Sequence, residues 1–139
     1  MDNVGEVASH VADTIVATGG IDGNSGHVGY SSSVAGVISI AGALLDKRLI
    51  DVEDVPVLSI HGDADDVMPY CNGRQTDQLG IQGILLDGPC VYHPYAESIN
   101  VSSTLFSIDN GNHNSPFHVD NEERIWEEMI DFLYGIVEE

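Results

Sequence analysis

Apolar positions recur along this chain with two different periods, and the changes between them mark out its elements. Val7, Val11, Ile15 and Val16 fall on one side at helical spacing, which predicts a short amphipathic helix over residues 6–17, ended by Gly19 and Gly20. From there to Ser33 no hydrophobic period survives, and the glycines, asparagines, aspartates and serines predict a loop. Residues 34–43, VAGVISIAGA, form an almost uncharged run of small and branched side chains, which predicts a strand buried on both faces. A polar connection containing Asp46, Lys47 and Arg48, open to a helical turn, leads to a second apolar run, VPVLSI, bounded by Pro56 and Gly62.

The pattern then weakens. A short helix over 73–79, an extended piece over 81–86 and one or two helical turns over 93–100 are expected before a third strand over 104–108. In the last segment Asp120 and Glu123 fit a capping box, and Ile125, Met129, Phe132, Leu133 and Ile136 recur on one helical face. The opposite face carries Glu122, Glu123, Glu127, Glu128 and Asp131, a solvated acidic surface. Strands alternating with helices predict an α/β fold in three layers, a small parallel sheet of about three strands flanked by helices.

The second strand ends in a particular way. IHGDADDVMP passes from buried apolar residues through Gly62 into Asp63, Asp65 and Asp66. Open α/β sheets place their chemistry just beyond the carboxyl ends of strands, so these carboxylates are candidates; an ordinary Asp- and Gly-rich turn is the alternative.

At this point the chain resembles the α/β-hydrolases. HG-x-x-D-x-x-x-P after an apolar strand, here His61 to Pro69, is similar to the way esterases of that fold present the acid of a Ser-His-Asp triad, and the matched acid is Asp65. Asp109-Asn110-Gly111-Asn112-His113, following the run 104–108, resembles the loop that carries the family's catalytic histidine, so His113 is the matched base. The stretch GNSGHVGYSSSVAGVISIAGAL is similar to the segment leading into the preceding strand of secreted and feruloyl-esterase-like members. The resemblance implies a single truncated domain over 1–139, equivalent to the C-terminal part of an α/β-hydrolase, with relatives that are secreted. His118 is a second candidate base, disfavoured because it stands farther from the strand.

The nucleophile is the missing third. The family's elbow is a G-x-S-x-G turn between strand and helix, and the string Gly23-Asn24-Ser25-Gly26-His27 lacks the second glycine at the required place. Ser31, Ser32 and Ser33 precede their strand, at the opposite end of the sheet from Asp65 and His113 within one chain. The strand over 34–43 is uncharged and free of proline, so as a sheet edge it is expected to pair with a second copy in a homodimer. If the two strands run antiparallel, a serine such as Ser32 comes alongside the other chain's His113; Ser115 and Ser25 are local alternatives. The sequence therefore supports a short-chain carboxylic-ester hydrolase, with a non-catalytic, self-associating or complementing half-domain as the alternative.

Composition narrows the partners. Four Lys plus Arg against 23 Asp plus Glu give a net charge of −19, which repels nucleic acid and anionic membrane and is common where salt is high. Residues 1–20 hold no Lys or Arg to begin a signal peptide, so a soluble chain is expected. His61, Asp63, Asp65 and Asp66 do not match the spacing of a calcium or zinc site, and GGIDGNSG is neither a phosphate loop nor a dinucleotide fingerprint; no metal and no cofactor are expected. Cys71 and Cys90 are open to a disulfide or to two thiols.

Overall fold

A computed structural model describes residues 17, 30–31, 33–77 and 79–138, so all but the last residue of the helix expected over 6–17 and most of the loop after it lie outside the described residues. The chain divides into two compact units, Met1–Val34 and Ala35–Glu139, and the architecture below is that of the second. It is an α/β fold. Strands β1 (Val37–Ile40), β2 (Val57–Gly62) and β5 (Ser103–Ile108) form a parallel sheet in the order β1-β2-β5. The register pairs Val37 with Val57 and Val57 with Ser103, and at the other end sets Gly62 opposite Ile108.

Alternation along each strand gives the sheet two unlike faces. On one, Leu58, Ile60, Phe106 and Ile108 pack with Ile125 of helix α2 (Val119–Glu138), and Ile38, Ile40, Met129 and Phe132 close around them. Leu58 and Ile60 are wholly buried, each contributing about 1.5–3 kcal/mol of apolar burial. The other face presents hydroxyls to helix α1 (Pro89–Ser98). Ser59 Oγ shares a 2.8 Å hydrogen bond with Tyr92 OH, and Ser103 Oγ one of 2.9 Å with His93 Nδ1. The sheet thus lies between two helical layers, an apolar one and a hydrogen-bonded one.

Four expectations are corrected. The strand expected over 34–43 is shorter and is not buried on both faces: Val37 is 44% exposed, and among the described residues β1 pairs with β2 alone. The helix expected over 73–79 is strand β3 (Asn72–Thr76), paired antiparallel with β4 (Gln82–Asp87), the extended piece expected there. A helix of seven residues is marginal on its own, whereas the hairpin supplies backbone partners across the strands and a turn that Asp77 organises by accepting from the N–H groups of Leu79 and Ile81. Third, α2 begins at Val119, so Asp120 stands inside the first turn rather than at the cap. Last, Leu133 is 50% exposed and faces outward with Trp126, Ile130 and Val137: this helix carries two apolar stripes, of which the core takes one. No helix among the described residues is long and apolar enough to cross a membrane.

The connection after β1 is a single 3-10 turn (Lys47–Leu49) whose N-cap, Asp46, accepts from the backbone N–H of Arg48. The Arg48 guanidinium bound to Asp46 holds that carboxyl well below its usual range. Asp87 is also lowered, first by the Asn72 amide and then by the Lys47 N–H, both of which donate to it.

Cys71 and Cys90 are joined in a disulfide, with a Cα–Cα distance of 4.9 Å and a sequence separation of 19. The bond fastens the start of β3 to the first turn of α1, beside backbone bonds from Gly88 N to Cys71 O and from Cys90 N to Tyr70 O. Closing a loop of that length removes about 3 kcal/mol of unfolded-state freedom. Replacing both cysteines by serine is therefore expected to lower the free energy of unfolding in urea by roughly that amount. A loss below about 1 kcal/mol would mean that the reduced chain is already held by its remaining bonds.

Candidate active site

The chemistry-bearing groups collect where β2 and β5 end side by side. As β2 ends, Asp63 N donates to Ile108 O at 3.1 Å, Ala64 N to Gly111 O at 2.9 Å and Asp65 N to Gly62 O at 3.2 Å. The loop after β5 is turned by Asn110 in the left-handed region (φ 53°) and lies directly on Gly62. A Cβ placed on Gly62 would stand 2.2 Å from Gly111 O and 2.7 Å from Asn112 O, so only glycine permits this approach. That contact sets the loop bearing His113 against the loop bearing Asp65.

Asp65 has a fully buried side chain. Its Oδ1 accepts from the backbone N–H groups of Val67 and Met68, each at 2.8 Å, and its Oδ2 lies 2.8 Å from His113 Nδ1. A carboxylate facing Nδ1 calls for the proton on that nitrogen, leaving Nε2 as an acceptor. The His113 side chain is 31% exposed, and among the described residues nothing is bonded to Nε2. The pair can therefore receive a proton from the solvent side and stabilise the imidazolium that results.

The other candidates are placed differently. His118 is exposed, with Nδ1 3.2 Å from Asp120 Oδ2, and does not meet Asp65. Ser115 Oγ accepts from Asn112 N at 2.8 Å and so belongs to the turn that carries His113. Asp63 and Asp66 are exposed. Ser32 lies outside the described residues; Ser31 and Ser33 are linked Oγ to Oγ at 2.8 Å in the first unit. Ser31 also stands two positions after Gly29, as the serine of a G-x-S-x-G turn does, with Ser33 where the second glycine belongs. A further neighbour is His61, which the sequence shows only as the first residue of the matched motif and as a rejected metal ligand, with no role of its own. It is 1% exposed, and its Nε2 lies 3.2 Å from Asp65 Oδ2.

The fold and the paired loops define an α/β protein with an aspartate-histidine pair at the carboxyl end of its sheet. No family model matches the chain, and no curated protein matches it. Among solved structures it is similar to one described as "Truncated form of carbohydrate esterase from gut microbiota", at 20% identity and a TM-score of 0.46 over 67% of this chain. The likeness spans 26% of that protein's length.

Proposed function

We propose that this chain hydrolyses short carboxylic esters, with His113 as general base and Asp65 holding it in the productive tautomer. The observation that supports the reading is the 2.8 Å contact between the buried Asp65 carboxylate and His113 Nδ1, with the ring half-buried and, among the described residues, nothing bonded to its other nitrogen. In the reaction His113 Nε2 takes the proton of a serine hydroxyl as its oxygen attacks the ester carbonyl. The same proton passes to the departing alcohol, and a water then releases the acid by the reverse exchange. Serine is supplied from the run Ser31, Ser32 and Ser33, across a homodimer formed through the edge of β1.

The purified protein should then hydrolyse p-nitrophenyl acetate, lose that activity on His113→Ala, and be inactivated by a serine-directed phosphonate. Alanine at each of Ser31, Ser32 and Ser33 singly should identify the nucleophile, and retention of full activity by all three would sink the trans-serine part. A clean monomer mass by light scattering at micromolar concentration would sink the dimer.

A second reading is supported by the outward stripe Trp126, Ile130, Leu133 and Val137 on α2: a non-catalytic half-domain that associates through its apolar surfaces. Absence of hydrolysis in the phosphonate-sensitive assay, with self-association intact, would favour it.

A further inference from the structure

The Asp65 carboxylate is approached from four sides. Two backbone N–H groups occupy Oδ1, and His113 Nδ1 occupies Oδ2. The fourth neighbour is His61, whose Nε2 hydrogen-bonds the Met68 carbonyl at 3.2 Å and stands 3.2 Å from Oδ2, close enough for attraction though the bond itself is aimed at Met68. Met68 in turn donates its N–H to Oδ1. Strand β2, the Asp65 side chain and the Met68 peptide therefore form one closed ring of contacts, with His61 as the strand's contribution.

The ring of His61 has little room to move. It is 1% exposed, and Tyr70 meets it edge-on, with centroids 5.8 Å apart and planes at 62°. Tyr70 is itself held through its hydroxyl by Ser107 Oγ of β5 and is followed at once by the disulfide at Cys71. Both atoms facing Nε2, Met68 O and Asp65 Oδ2, are acceptors, so that nitrogen must carry a proton. A buried imidazole of this size is not needed merely to fill space, since a phenyl ring has nearly the same shape. What phenylalanine cannot supply is the N–H.

We infer that His61 is a positioning residue: its Nε2–H fixes Met68 and the Asp65 carboxylate together, and so aims Oδ2 at His113. The inference rests on the proposed esterase reading for its kinetic consequence and on geometry alone for its structural one. Groups that orient a catalytic side chain typically matter by about 10- to 100-fold when removed.

Two experiments test it. In histidine-labelled wild-type protein, long-range nitrogen-proton NMR should find His61 protonated on Nε2 and His113 protonated on Nδ1. A His61 protonated on Nδ1 alone overturns the inference, whether or not the protein has any activity. In ester hydrolysis, His61→Phe should lower kcat by about 10- to 100-fold with KM unchanged, and His61→Gln, which keeps an N–H donor, should recover most of it. A His61→Phe variant equal to wild type, or one impaired only in KM, overturns it as well. If the wild type hydrolyses no ester, the esterase reading fails, and the His113 Nδ1–H resonance becomes the readout: kept in His61→Gln and lost in His61→Phe on this inference, kept in both if His61 only packs. Should His61→Phe not fold, the tautomers of the wild type decide.

Discussion

Replacing Gly62 by alanine is expected to cost about 3 kcal/mol of folding stability, a fall in Tm of roughly 10 °C for a domain of this size. The cause is backbone against side chain. The new methyl would meet Gly111 O at 2.2 Å and the Gly111 carbonyl carbon at 2.4 Å, and neither belongs to a side chain that can swing aside. Relief requires the whole 109–113 loop to retreat from β2, which breaks the 2.9 Å bond from Ala64 N to Gly111 O and carries His113 away from Asp65. Gly135→Ala is the matched control: it lies within α2, nothing among the described residues stands within 4 Å of its added Cβ, and it should stabilise the helix by about 0.5–1 kcal/mol. Urea unfolding of the two variants tests the contrast. If Gly62→Ala lost less than about 1 kcal/mol, the contact between the two loops would not be the constraint described.

The largest effect on activity is expected from Asp65→Asn. Oδ1 of Asp65 accepts from two backbone N–H groups, so the carbonyl oxygen of an asparagine must take that place. Its amide nitrogen then falls where Oδ2 was, and a donor faces His113 Nδ1. The imidazole must turn to its other tautomer to accept from it, which puts the ring proton on Nε2 and removes the lone pair that would take the serine proton in the proposed reaction. A fall in kcat of about 10³- to 10⁴-fold is expected, with the protein still folded. The control measurement is the His113 tautomer by NMR in the same variant. Unchanged hydrolysis would dismiss Asp65 as the orienting acid.

These two positions also show what the sequence discloses and what it withholds. The three parallel strands are legible because each is a short apolar run ended by a turn residue, and burial on a sheet face demands that pattern. Asp65 and His113 stand 48 positions apart, yet each follows directly on one of those strands, so strand order alone brings them to the same end of the sheet. The hairpin is different. Arg74, Gln75 and Thr76 have no period of their own, and their strand exists because Gln82 to Asp87 pair with it, a nonlocal cause that no local window contains. On α2 the outer stripe through Leu133 interleaves with the inner stripe through Ile125, and apolar spacing cannot say which one the core accepts. His61 is visible in the sequence as the first letter of the matched motif, but its proposed role is not: that role depends on the Met68 carbonyl, and a main-chain acceptor leaves no trace in the residue letters.

The cystine has one more consequence, for the continuity of the chain. The hairpin tip around Leu79 and Gly80 projects into solvent, with Leu79 84% exposed and Gly80 at φ 78°, the kind of site where proteases nick folded proteins. A cut there would place Asp65 on one fragment and His113 on the other. Cys71 and Cys90 lie on opposite sides of that cut, so the fragments would stay covalently joined and travel as one molecule until a reductant met them. The bond therefore does more than shorten the unfolded chain: it makes the aspartate and the histidine inseparable even when the peptide between them is broken.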